Sequence, residues 1–355
     1  MRILKLALSL GLRAGLKPAL PGFIFDVNTA NAGTLSTQFQ LPLVSSGAIS
    51  MKVKWGDGNS DTITSYNQAE TLHTYASSGT YTIEIINEVR GFKFNNAGDK
   101  AKILDVSNWG EFNLTDDSTF FGCSNLTSSA VDIPTISSLS LSKVFESCTI
   151  FNGDVSSWNV SSVTDMSSMF SSCQSFNQDI SSWNTGSAIN MSNMFLSCLI
   201  FNQDISSWNT GSVTNMSYMF ANCLAFDQDL SGWNTGSVTD MSSMFANCLV
   251  FDQDISSWNI SQVANLFNFL INGTLSTINY DALLVGWDSQ VVLSGLSFNA
   301  GNSIYTNCTG TAFEARQSLM NTDSWTILDG GGYPTSCFWN TEDVNWNDLN
   351  RNWNE

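Results

Sequence analysis

Between Phe151 and Trp258 the chain repeats itself every 25 residues, without a single insertion. FNGDVSSWNVSSVTDMSSMFSSC begins at Phe151, FNQDISSWNTGSAINMSNMFLSC at Phe176, FNQDISSWNTGSVTNMSYMFANC at Phe201 and FDQDLSGWNTGSVTDMSSMFANC at Phe226. Trp158, Trp183, Trp208, Trp233 and Trp258 hold one register, and Asp154, Asp179, Asp204, Asp229 and Asp254 hold another. Cys123, Cys148, Cys173, Cys198, Cys223 and Cys248, each three residues behind a Phe, carry the register upstream. A fixed period of this length predicts a solenoid, in which each turn buries its apolar positions only against its neighbours. In the copy from Phe201 the expected interior is Phe201, Ile205, Trp208, Val213, Met216, Met219, Phe220 and Cys223. Val213-x-x-Met216 reads as the start of a strand, and Met219–Cys223 as a helical turn. About seven turns at the strand spacing give a stack of about 34 Å. Each large buried side chain is worth about 1.5–3 kcal/mol, so such a core is ample without disulfides.

Two polar columns run along this repeat. Asp165, Asn190, Asn215 and Asp240 share one position, where charged and neutral side chains interchange. The oxygen they have in common is therefore what counts, as in an Asx turn or a backbone cap. The other column, Asp154, Asp179, Asp204, Asp229 and Asp254, never changes. Carboxylates stacked ~4.8 Å apart repel by roughly 1 kcal/mol per pair in a water-like dielectric. Either backbone N–H donors offset that, or a cation such as calcium does. Calcium needs six to eight oxygens, to which Gln178, Gln203, Gln228 and Gln253 could add.

The net charge is −18, from 31 acidic residues against 13 Lys plus Arg. Such a surface repels phosphate backbones and anionic membrane, which argues against nucleic-acid binding. No apolar run approaches the ~20 residues that span a bilayer, so no membrane insertion is expected. Only 12% of residues are charged, and Ser, Thr, Asn, Gln and Gly supply most of the polarity. That composition favours a β-rich, extracellular type of surface. Six of the eight Cys lie one repeat apart and should stack as reduced thiols in the core, their side chains parallel and ill-placed for bridging. Cys308 and Cys337 stand outside the ladder, and their spacing leaves pairing open. There is no CxxC pair and one His, which gives zinc no support.

Along the chain, residues 1–22 alternate Leu4, Leu6, Leu8, Leu10 and Leu12 with Lys5, Ala7, Ser9 and Gly11. A period of two marks a strand with one apolar face. The segment reads either as a degenerate secretion signal or as an arm that stays on the protein and pairs with another chain. Residues 23–104 read as a small β-sandwich, with strands at Ile49–Trp55 and Thr80–Ile86. Its Trp55-Gly56-Asp57-Gly58 turn and the segment His73-Thr74-Tyr75 through Gly79-Thr80-Tyr81 resemble the polycystic-kidney-disease-type (PKD) domain, an immunoglobulin-like sandwich. Asp57 and His73 read as a structural turn and a satisfied histidine, since no nucleophile accompanies them. Lys100–Gly122 leads into a solenoid of residues 105–272, whose first turns are irregular, with Ile133-Pro134 where later turns carry Trp-Asn.

Beyond Trp258 the period breaks, the next Trp standing at 287 and Gly273 replacing Cys. A cap is expected over 273–335, with an amphipathic helix at Ala312–Met320 and a last strand and turn from Trp325 to Gly331. In the tail, 336–355, Trp339, Trp346 and Trp353 fall seven apart, each followed by Asn. They suit assembly or docking, packing back on the cap, or sugar contact.

The FNQDISSWNTGSVTNMSYMFANC repeats, the WGDG sandwich before them, the GDKAKILDVSNWG junction and the ARQSLMNTDSWTILDGG cap together resemble the BspA-like leucine-rich-repeat surface proteins. The likeness spans roughly residues 23–332. It implies a mainly β molecule, a PKD-type sandwich followed by a leucine-rich-repeat-like solenoid, displayed on a surface for recognition or adhesion. It assigns no catalytic residue. The chain departs from the family in its doubtful signal and its two short terminal arms. The expected function is therefore a non-enzymatic recognition or adhesion protein that binds a host-cell glycan or protein through exposed Ser, Thr, Asn and Tyr218. The alternative is a structural virion protein of a bacteriophage (fibre, spike or decoration subunit), assembling with its own copies or other subunits through the arms. An enzyme is not expected.

Overall fold

The fold is described from a computed structural model over residues 21–45, 50–307 and 312–333. It is mainly β, with open sheets. Alternating apolar residues make the first strands. In β1 (Phe23–Asn28), Phe23, Phe25 and Val27 are buried and their neighbours are not. The chain continues through β2 (Gln38–Gln40), β3 (Met51–Lys54), β4 (Ser60–Ile63), β5 (Leu72–Thr74), β6 (Thr80–Ile86) and β7 (Ile103–Asn108). After these come β8 (Asn113–Leu114), β9 (Thr127–Ser128) and β10 (Thr135–Ile136). One sheet runs β4-β3-β6-β1-β7-β9, and β2 pairs with β5 in a separate ribbon. Thr80–Ile86 is a strand as expected, and the run expected from Ile49 forms β3 from Met51. β9 joins the sheet parallel to β7, so its hydrogen bonding passes without a break into the first irregular turns.

From Ser140 onward one architecture recurs. Asp165, Asn190, Asn215, Asp240 and Asn265 form single parallel bridges, each to its equivalent 25 residues away. All eight interior positions expected for the copy from Phe201 are buried. The helical turn expected at Met219–Cys223 does not form. Tyr218 and Asn222 instead take φ of 57° and 61°, a left-handed conformation that no α-helix accommodates. Alternate N–H groups leave the turn altogether. Met216, Tyr218, Phe220 and Asn222 donate to the carbonyls of Asp240, Ser242, Met244 and Ala246 in the next turn, at 2.8–2.9 Å. Between them, Met219, Ala221 and Cys223 donate three residues back. Each turn thus fastens to its neighbour with backbone bonds that a helix would have kept to itself.

The stack is closed by α1 (Thr277–Asp288), β11 (Ser297–Asn299), β12 (Tyr305–Thr306), α2 (Ala312–Asn321), β13 (Thr326–Leu328) and β14 (Gly332–Tyr333). The helix expected at Ala312–Met320 and the last strand are both present. The α1 helix was not anticipated, although Ser276 caps it and Tyr280, Leu283, Leu284 and Trp287 are buried at helical spacing. Arg316 grips Asp329 with Nε at 2.8 Å and a second nitrogen at 3.2 Å, and the Tyr280 hydroxyl donates to the same carboxylate at 2.7 Å. This partly buried network ties α1, α2 and the turn after β13 together. Among the described residues, no helix is long and apolar enough to cross a membrane.

Candidate recognition surface

Every regular turn contains three Asx turns, one in each of three columns. In the invariant column, Asp154, Asp179, Asp204, Asp229 and Asp254 each accept the N–H of the residue two ahead, at 2.8–2.9 Å. The Asp165, Asn190, Asn215 and Asp240 column does the same at 2.8–3.1 Å, as the Asp/Asn interchange implied. Asn159, Asn184, Asn209, Asn234 and Asn259 form the third. Backbone donors therefore stand at the invariant Asp column. Hydrogen bonding by Ser156 (side chain foremost, then backbone) and by Ser181, Ser206 and Ser231 (backbone foremost, then side chain) holds the carboxyls of Asp154, Asp179, Asp204 and Asp229 below their ordinary value.

A fourth column escaped the sequence reading. Asn152, Asn177, Asn202, Asp227 and Asp252 each accept, through a side-chain oxygen, a backbone N–H from the following turn at 2.7–3.0 Å. The glutamines beside the Asp column point their amides backward along the stack: Gln178, Gln203, Gln228 and Gln253 donate to residues 152, 177, 202 and 227. Their amide nitrogens thus bridge turns. Among the described residues no group of three or more His, Cys, Asp or Glu is placed to hold a metal ion.

The conspicuous Cys and Trp columns face inward. Cys148, Cys173, Cys198, Cys223 and Cys248 each donate the thiol proton to a Phe carbonyl 28 residues back, at 2.9–3.1 Å. All six thiols of the ladder are free and buried. Burial pushes the Cys248 thiol up to about 12, and moves the others upward as well. Trp183, Trp208, Trp233 and Trp258 use the same 28-residue step, each Nε1 donating to a carbonyl at 3.0–3.1 Å. Trp158, facing the irregular turns, has a buried Nε1 with no hydrogen-bond partner.

With the repeat geometry in view, a sequence comparison defines its kinship. A family described as "Mycoplasma protein of unknown function, DUF285" matches residues 92–199 and again 182–282, more than half of the chain. The chain belongs to this family. Its repeats are of the BspA-like kind. No curated protein and no solved structure is significantly similar to the chain. The family match takes in the regular turns and the start of α1, and leaves residues 21–91 and most of the cap outside it.

In the part before the family match, the WGDG turn is a hydrogen-bonded corner. Gly56 and Gly58 take φ of 84° and 92°, and a Cβ on Gly56 would lie 2.5 Å from the Thr82 carbonyl. Asp57 accepts from Asn59 N at 3.0 Å and contacts His73 Nε2 at 2.9 Å. Burial opposes the Asp57 charge, yet these hydrogen bonds hold its carboxyl below the ordinary value. His73 lies flat on Trp55, ring centroids 4.6 Å apart, and Tyr75 on Tyr81 at 3.8 Å. A second polar knot lies beneath the loop between β1 and β2. Lys102, fully buried, donates to the Thr34, Leu35 and Gln38 carbonyls and to the Thr34 hydroxyl, at 2.8–3.1 Å. Burial lowers the Lys102 pKa, and Asp99, at 3.6 Å, works against that shift. Both knots hold loops in place.

The assembly candidates Leu4, Leu6, Leu8, Leu10, Leu12, Trp339, Trp346 and Trp353 lie outside the described residues, as do Cys308 and Cys337.

Proposed function

We propose that this protein is a non-enzymatic, surface-displayed recognition protein: a leucine-rich-repeat-like solenoid, carried behind a PKD-type sandwich, that binds a host-cell glycan or protein. The observation that carries this reading is the set of side-chain columns. Asp, Ser and Asn recur on the outer face at one 25-residue register, on turns fastened by backbone and side-chain bonds. A rigid, extended, periodic surface meets a partner without paying to order itself first. The residues an enzymatic reading would recruit have structural duties: His73 packs on Trp55 beside Asp57, and the six ladder thiols are buried donors. The solenoid reading is supported by the parallel bridges, and the PKD-type reading by the left-handed glycines of the WGDG corner and the stacked Tyr75 and Tyr81.

The test is retention of the purified chain on envelope fractions of candidate host cells, before and after protease or glycosidase treatment. Saturable retention removed by one of the two treatments is expected, and names the ligand class. No retention on any fraction to which the intact particle or cell adheres overturns the reading.

A further inference from the structure

The outer face of the regular turns is mostly polar, and apart from Ile150, Ile189, Tyr218 and Phe267, each exposed singly, its large apolar side chains fall in one place. Just after each Cys, three consecutive turns expose apolar side chains: Ile200 at 50%, Leu224 at 41%, and Leu249 and Val250 at 60% and 50%. The turn before carries Gln174-Ser175 at these positions, and in the turn after them Leu275 is buried, so the ridge is three turns long. Contiguous exposed apolar surface of this kind marks a contact site.

What lies beside the ridge identifies its occupant. Four residues past Ile200, and four past Ala225 and Val250, stand the exposed carboxylates Asp204, Asp229 and Asp254. In the last two of these turns the bridging column also changes from Asn to Asp, at Asp227 and Asp252. Acid is therefore denser along the second and third turns of the ridge than along the first. Nothing in the surrounding chain neutralises it: residues 144–315 contain thirteen Asp and Glu and no Lys, Arg or His. The Asx turn does not require the charge, because Asn makes the same turn at Asn184, Asn209 and Asn234.

We propose that the ridge and its acidic flank form a docking surface for a cationic amphipathic helix of a partner protein, laid along the stack axis. The spacing suits a helix. Its pitch is about 5.4 Å and neighbouring turns lie about 4.8 Å apart, so one side chain per helical turn meets one turn of the stack over the length of the ridge. Apolar residues at i, i+4 and i+7 rest on Ile200, Leu224 and Leu249–Val250, and Lys or Arg on one flank faces Asp204, Asp229 and Asp254. The inference rests on the recognition reading and narrows its partner to a protein segment.

The experiment titrates the full chain into a labelled helical peptide of about four turns, with a Leu stripe and a Lys flank, beside a control peptide in which Glu replaces Lys. Binding of the Lys peptide should be at least about tenfold tighter than that of the Glu peptide, and should weaken as salt rises. The triple variant Asp204→Asn, Asp229→Asn, Asp254→Asn keeps the Asx turns, so it should still unfold in one cooperative transition, at a modestly lower temperature, while affinity falls roughly tenfold. Leu224→Ser with Leu249→Ser and Val250→Ser should abolish binding. Equal affinity for the two peptides, or binding indifferent to both variants, overturns the proposal. If the peptide fails while the chain is still retained on host envelope, the recognition reading stands and this inference falls. Failure of retention removes the reading itself.

Discussion

The ladder cysteines show how a conspicuous residue can be wholly structural. All six thiols are fully buried, where a thiolate has no solvation, and those from Cys148 to Cys248 each donate to a carbonyl of the preceding turn. Cys123, Cys148, Cys173, Cys198, Cys223 and Cys248 should therefore resist alkylation in the native protein and react once denaturant is added. Peptide mapping after iodoacetamide treatment checks this. The Asp column titrates in the opposite sense. Asp154, Asp179, Asp204 and Asp229 have folded-state values below the ordinary 3.8. A depressed value adds stability that is present above the unfolded pKa and is lost as pH falls through the folded one. The melting temperature should accordingly stay level through neutral pH and drop below about pH 4. Asn substitution at these four positions should shallow that drop. Both columns were legible as columns. The sequence left two sources for the compensation of the Asp charges, and Ser156, Ser181, Ser206, Ser231 and Ser256 turned out to be donors.

At the scale of the element, the turn after each Met-x-x-Met shows where local reasoning stops. Met219–Cys223 has the apolar spacing of a helical turn, and its N–H groups at 219, 221 and 223 do bond three residues back. The alternate groups bond forward into the next turn, which requires positive φ at Tyr218 and Asn222. Ser and Asn at most equivalents of those positions were the available signal, since Asn in particular tolerates the left-handed region. The indole ladder offers a sharper test of how turns depend on their neighbours. Trp208 donates to the Ile180 carbonyl at 3.1 Å, while the Trp158 Nε1 is buried without a partner. Trp208→Phe should cost about 1 kcal/mol more than Trp158→Phe, the net value of one hydrogen bond. Urea unfolding midpoints of the two variants measure the difference.

For the whole molecule, turns that each bond to the next should act as nearly identical units joined at nearest-neighbour interfaces. Deleting residues 201–225 joins Ile200 to Phe226 and preserves every column register. That variant should fold with an unchanged circular-dichroism shape and unfold at a lower temperature. A loss of cooperative folding would mean that the turns are not interchangeable. The cap sets a limit to such editing, because Asp227 and Asp252 anchor the turns beneath α1 and Asp252 also accepts Ser276 N at 2.7 Å.

The sequence by itself determined the period, the buried columns, the reduced thiols and the Asx turns at the Asp/Asn column. These follow from residue type at fixed spacing, and every copy states them again. Only the tertiary structure decided three further things. Backbone bonds to the next turn replace a helical turn, because those partners exist only once turns are stacked. The Gln amides bridge turns, because their acceptors lie 26 residues away. Ile200, Leu224, Leu249 and Val250 are exposed beside the Asp column, although their apolar character alone suited the interior as well. Which side of a turn faces water is fixed by what stacks against it, and a single turn carries no record of that.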